Sequence, residues 1–209
     1  MSLAYSSLSQ IATSLNLPES VTEKLISNYE LVESKEELFQ LIQQIGIEGG
    51  KVDEAADMVA DLEERINLIS HKLKFIKEEQ KPAVLILTSV NPPVFERNDY
   101  LEDILRIAGA TIYDAQITDG EKTFNPDVLL IISDKMESLF SDVGVLLSLE
   151  EWQNTNAVKN NKIFLVNGTD HFNGYSSKIA EDIETLAEII YPQYLTFGGS
   201  GESWVQFEV

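Results

Sequence analysis

The chain has 209 residues, 44% of them apolar, which is enough to bury the core of an α/β domain with an appendage and excludes a wholly disordered chain. Its 15 basic residues stand against 35 acidic ones; the formal net charge of −20 repels nucleic-acid phosphates and anionic lipid headgroups, so no nucleic-acid partner is expected. Cysteine is absent, which rules out disulfides and thiolate chemistry, and no apolar run approaches the roughly 18 residues of a membrane span, so no membrane insertion is expected.

The opening stretch Met1–Glu19 lacks a basic segment followed by an apolar one, the pattern of an export signal. The expected location is periplasmic or cell-envelope if such a signal has been trimmed, and cytoplasmic otherwise. Leu8, Ile11, Ala12 and Leu15 recur at helical spacing over residues 6–17. Pro18-Glu19-Ser20 then opens a second short helix, from Val21 to Ser27. Tyr29 to Val32 reads as a short strand, and Ser34-Lys35-Glu36-Glu37 has the Ser-x-x-Glu form of a capping box. The helix it opens sets Leu38, Leu41, Ile42 and Ile45 on one face and closes at Gly46 and Gly49-Gly50. From Lys51 to Glu79, Val52, Ala55, Val59, Leu62, Ile66, Ile69, Leu73 and Ile76 step by threes and fours with no proline or glycine between them. That predicts one helix about 40 Å long at ~1.5 Å per residue, a length that suits a connector between two bodies.

Pro82 closes the helical region. Ala83–Thr88 is a continuous apolar run of strand length, as a buried parallel strand requires. Asp99–Ala108 is an amphipathic helix ending at Gly109, and Thr111–Tyr113 is a short strand. Val128–Ile132 and Ile163–Val166 are two further buried strands. Ser176–Ile190 is the closing helix, with Ile179, Ile183, Leu186, Ala187 and Ile190 inward. Strands alternating with helices predict a three-layer α/β/α, Rossmann-like lobe with a mostly parallel sheet. The long connecting helix and a small, mainly helical N-terminal segment precede it. The expected divisions are 1–50 for that segment, 51–80 for the connector and 81–209 for the lobe.

Ligands of open parallel sheets sit beyond the carboxyl ends of the strands. Three such loops are readable: Ser89–Glu96, Ser133–Met136 and Asn167–Tyr175. The first and third combine Asn, Pro and aromatic residues, which suits a flat organic ligand needing stacking surface and a few hydrogen bonds. The same residues also serve as plain turns and core caps, so composition leaves both uses open. Catalytic patterns are missing: there is no G-x-G-x-x-G, Walker-type or G-x-S-x-G motif. The two histidines are His71, on the long helix, and His171, beside Asp170 in the third loop; no further ligands stand at metal-binding spacing. The acidic pairs Glu78-Glu79, Glu150-Glu151 and Glu181-Asp182 read as solvated helix faces. No catalytic residue, metal site or cofactor is expected.

Several segments resemble, in order, the second lobe of the cobalamin and iron-complex solute-binding proteins of ABC importers. Asn91-Pro92-Pro93-Val94-Phe95, followed by a helix and Ala108-Gly109, is similar to the family's strand–loop–helix with its N-P-P-F-like loop. Phe124-Asn125-Pro126-Asp127-Val128 matches L-x-P-D-V-I, and Trp152 to Ile163 looks like W-x-x-L-x-A-V-K-N-G-R-V. Phe172–Ser176 stands where the family has F-N-R-P-G-P, Ile189–Pro192 where it has I-L-H-P, and Phe197–Trp204 resembles F-G-x-E-G-x-x-W. The resemblance implies a non-enzymatic binding protein for a corrinoid, haem or iron-chelate ligand, docked on an ABC permease. The implied ligand-binding residues are Asn91, Pro92, Pro93, Phe95, Phe172, Asn173 and Tyr175.

Three departures accompany it. Only residues 1–50 precede the long helix, so the first lobe is expected to be strongly reduced. Ile117–Phe124 replaces a S-x-E-E-L helix, and the F-N-R-P-G-P loop lacks its arginine and second proline. A one-walled cleft exposes about half of a large ligand, which leaves open an alternative: an interaction or assembly protein, a homo-oligomer for example, that no longer binds a small ligand.

Overall fold

The computed structural model describes residues 3–26, 29, 32–114 and 125–208. The first four helices are α1 (Leu3–Ser14), α2 (Glu19–Ile26), α3 (Lys35–Gly49) and α4 (Val52–Leu73). Ser34 caps α3, its Oγ accepting from Glu37 N at 3.2 Å. Glu37 closes the box one residue early, accepting from Glu33 N at 2.9 Å. Gly50 ends α3 at φ 68, a left-handed position that favours glycine.

The long helix is shorter than its pattern. It stops at Leu73 and spans about 33 Å at ~1.5 Å per residue. Ile76 N then donates to Leu73 O in a turn, and Glu78–Gln80 forms a single 3₁₀ turn. A step of three from Leu73 to Ile76 satisfies a turn as well as a helix, so spacing alone does not place the end. The chain reverses here to start the sheet, leaving Ile76 packed on the core and Phe75 80% exposed.

The lobe runs β1 (Ala83–Val90), β2 (Pro93–Phe95), α5 (Asp99–Ile107), β3 (Thr111–Ile112), β4 (Val128–Ser133) and α6 (Met136–Leu147). It continues with α7 (Glu150–Gln153), α8 (Asn156–Lys159), β5 (Ile163–Asn167), α9 (Ile179–Ile190) and β6 (Trp204–Gln206). β1, β4 and β5 are parallel neighbours, with Val84 opposite Val128 and Leu130 opposite Phe164. β3 extends the parallel set at the start of β1, while β2 and β6 pair antiparallel at the two edges. Val84, Ile86, Val128, Leu130, Phe164 and Val166 face a core shared with α1, α3, α4, α5 and α9. Leu85, Leu87, Leu129, Ile131, Ile163 and Leu165 face the other layer, with Val143 and Leu146 of α6 and Trp152. Both faces are covered, which is why these strands read as unbroken apolar runs. Asp127 pins the sheet's start: Oδ2 accepts from Ala83 N at 3.0 Å and Oδ1 from Asn156 Nδ2 at 3.1 Å.

The three expected divisions share one core. Leu8, Ile11 and Ile42 from the first, Leu62 and Ile69 from the second, and Ile104 and Ile183 from the third belong to the same apolar cluster. Of the strand expected at 29–32, Tyr29 and Val32 have no regular structure and residues 30–31 lie outside the described residues. The departure at 117–124 also lies outside them. The edge strands β2 and β6, and α6, were not legible in advance. The edge strands are only three residues long, and α6 is apolar on too many sides to show a clean stripe.

Candidate functional site

Because β1, β4 and β5 are parallel, their carboxyl ends line one edge of the sheet and bring the three expected loops to it. β1 leads through Asn91 and Pro92, joined by a cis peptide bond, into β2, whose Val94 pairs with Ser89 and Pro93 with Val90. Asn91, Pro92 and Pro93 are exposed, whereas Phe95 is half-buried against the α6 side of the sheet. After β4, Ser133 Oγ accepts from Lys135 N at 3.1 Å and tightens the turn into α6.

The loop after β5 is tied down at both ends. Gly168 N donates to Ser133 O at 2.9 Å, and a β-carbon on Gly168 would lie 2.9 Å from Ile132 Cγ2. Asn173 Nδ2 donates to the carbonyls of Gly168 and Thr169, both at 3.3 Å, so this expected ligand residue also shapes its own loop. Phe172 adopts φ 62 and is half-buried on the core opposite to that of Phe95. Tyr175 is buried: its ring stands edge-on to Tyr100 at 4.9 Å, and its hydroxyl donates to Asp103 Oδ2 at 2.7 Å. Burial and that carboxylate push the Tyr175 hydroxyl well above its ordinary range. Burial alone would raise Asp103, but the hydrogen bonds from Arg106 and Tyr175 outweigh it and hold the carboxyl low. α1 stands beside this loop, with Ser14 Oγ 3.0 Å from Ser177 Oγ.

Beneath the loop lies a group that the sequence pattern misplaces. Asp182 was expected on a solvated face but is 2% exposed, whereas its neighbour Glu181 is exposed as expected. Its Oδ2 accepts from Tyr100 Oη at 2.6 Å and Phe172 N at 3.0 Å; its Oδ1 meets His171 Nδ1 at 2.9 Å. His171 is itself 7% exposed. Burial, then Asp182, pushes the Tyr100 hydroxyl well above its ordinary range, so it remains a donor. The available signal was the position of Asp182, three residues after Ile179 and one before Ile183, on the helix's apolar face. A second buried carboxylate, Glu188, holds the C-terminal segment. It accepts from Phe197 N, Gly198 N and Gly199 N, each at 3.0 Å, and from Trp204 Nε1 at 3.3 Å.

The sequence over residues 3–168 matches the model of the periplasmic binding protein family. The chain belongs to that family. Periplasmic binding proteins of this kind deliver solutes to ABC transporters and are not enzymes. A Bacillus subtilis relative, the uncharacterized ABC transporter substrate-binding lipoprotein YvrC, is 25% identical over 169 residues, which is 77% of this chain and 52% of the relative. The chain thus spans about half the length of that curated relative. Two solved structures share the fold. A periplasmic haem-binding protein of Pseudomonas aeruginosa has a TM-score of 0.66 at 16% identity, over 92% of this chain and 74% of that one. IsdE of S. aureus, complexed with haem, has a TM-score of 0.61 at 19% identity, over 74% and 64% of the two chains. Among the described residues, no helix is long and apolar enough to cross a membrane, and no three His, Asp or Glu side chains are grouped to hold a metal ion.

Proposed function

We propose that this chain is a solute-binding module for ABC import that takes a corrinoid, haem or iron-chelate ligand along the carboxyl edge of its sheet. The observation that carries this reading is the exposed Asn91-Pro92-Pro93 turn, on the same sheet edge as the 171–175 loop. Asn91, Pro92, Pro93 and Phe95 contact the ligand from one side in this proposal, and Phe172 and Asn173 from the other; Tyr175 supports its loop from beneath. An ABC permease is the partner and the cell envelope the location, consistent with the lipoprotein relative. Titration of haem and cyanocobalamin, followed by absorbance and calorimetry, tests the ligand class. Saturable binding is expected, and its absence below about 100 μM refutes the class.

A second reading, assembly without a small ligand, draws on one observation. The outer side of α6 and the turn after it expose Phe140 (45%), Val145 (62%) and Leu149 (47%) on a chain of formal net charge −20. Light scattering separates the two: a stable oligomer with no haem or corrinoid binding favours assembly, and a strict monomer excludes it.

A further inference from the structure

A cavity of about 430 Å³ opens at the amino edge of the sheet, opposite to the edge of the proposed cleft, and none of the cleft residues lines it. Its volume is within the usual range for small-molecule sites. Val128 and Phe164 reach it from the starts of β4 and β5, Trp204 from β6, and Ile189 and Tyr191 from the end of α9, where Pro192 stops the helix. The aromatic floor is pinned from behind. Tyr191 Oη donates to Gly109 O at 2.8 Å, Trp204 Nε1 donates to Glu188 Oε2 at 3.3 Å, and the Trp204 ring stands edge-on to Phe164 at 5.6 Å. The donors of both rings are thus spent, and what they offer the cavity is apolar surface.

The second observation is the charge of the lining. No Asp or Glu lines this cavity, in a chain whose acids outnumber its bases 35 to 15. The one charged residue in the lining is Lys162. Its backbone is fixed on both sides, N donating to Ala157 O at 2.7 Å and O accepting from Leu129 N at 2.9 Å. Its ammonium has no ion pair or hydrogen bond among the described residues, whereas Lys81, between the lining residues Gln80 and Pro82, is paired with Glu78 at 2.6 Å. Gln80 Oε1 accepts from Lys77 N at 3.2 Å, which leaves Nε2, a donor, as its remaining polar group. An apolar floor with a single cation and an amide donor at its rim suits an anion built on an apolar ring. A cation would meet Lys162 with no carboxylate to hold it, and a multiply charged phosphate would need more than one positive partner.

We propose that this cavity binds a small aromatic monocarboxylate, its ring against Phe164, Tyr191 and Trp204 and its carboxylate accepting from Lys162 Nζ and Gln80 Nε2. The site is separate from the proposed cleft and stands or falls independently of the ligand class assigned there.

The test uses the whole chain with 1-naphthaleneacetate as the probe, its amide as the neutral analogue and 1-naphthylmethylamine as the cation. Calorimetry is expected to show saturable binding of the acid, binding of the amide weaker by at least about fivefold, and none of the amine. Lys162 is exposed and its backbone bonds do not depend on its side chain, so Lys162→Gln keeps the fold. The variant should bind the acid at least about fivefold more weakly and the amide as before. The chain has two tryptophans, and on saturation the indole ¹⁵N resonance of Trp204 moves while that of Trp152, in the opposite layer, does not. No binding below about 5 mM, equal binding of acid and amide, binding of the amine, an unchanged acid affinity in the variant, or an unmoved Trp204 indole each overturns the proposal.

Discussion

Replacing Asp182 by alanine removes the acceptor for three donors at once: Tyr100 Oη, His171 Nδ1 and Phe172 N. Hydrogen bonds to a charged group contribute about 1.5–3 kcal/mol each, and the donors left behind are buried or half-buried. Against that loss, burying the carboxylate itself costs several kcal/mol, which the substitution returns. The balance is a destabilisation of about 2–4 kcal/mol, because the orphaned donors remain whereas the desolvation is only partly recovered. At roughly 2–4 °C per kcal/mol for a chain of this size, the melting temperature falls by about 4–16 °C. Urea denaturation gives the energy, and amide hydrogen exchange gives the place: the Phe172 amide, bonded to Asp182 Oδ2, exchanges faster than amides of β4. A loss under about 1 kcal/mol with Phe172 still protected refutes the view that Asp182 holds the loop.

Glu188→Gln loosens the C-terminal segment. Burial tends to raise the Glu188 carboxyl, but the bonds from Gly198, Gly199, Phe197 and Trp204 outweigh it and hold it below its usual range. Its stabilising effect is therefore complete above about pH 4.3, the unfolded value, and is lost as pH falls below it. The melting temperature of the wild type should drop more steeply than that of the variant between pH 5 and pH 3, roughly the window of a carboxylate, and parallel curves would contradict this. Gly168→Ala drives a methyl group to 2.9 Å from Ile132 Cγ2 and 3.4 Å from the Ser133 backbone, and should cost about 1–3 kcal/mol in urea denaturation. Phe172→Ala should weaken haem or corrinoid binding at least about tenfold in the absorbance titration; an unchanged affinity removes that loop from the site.

Much of the architecture was legible because its signals are local. The capping box at Ser34 and the apolar runs at 83–88, 128–132 and 163–166 each state their structure within a few residues. The end of α4 was not, since Ile76 continues the helical spacing while packing from a turn. The loops were placed at the correct edge of the sheet, yet the fate of their side chains was not legible. An aromatic such as Tyr175 reads the same whether it lines a cleft or, as here, packs under a loop on Tyr100.

By itself, then, the sequence determined the order of the long strands and of the helices with a clear apolar stripe, and the two-sided burial of the sheet, since periodicity and composition act over short stretches of chain. Only the tertiary structure decided that the first helices join the lobe's core and that Asp182 is a buried hub rather than a solvated acid. Its partner Tyr100 is 82 residues away, and no local pattern records which distant donor a carboxylate will meet.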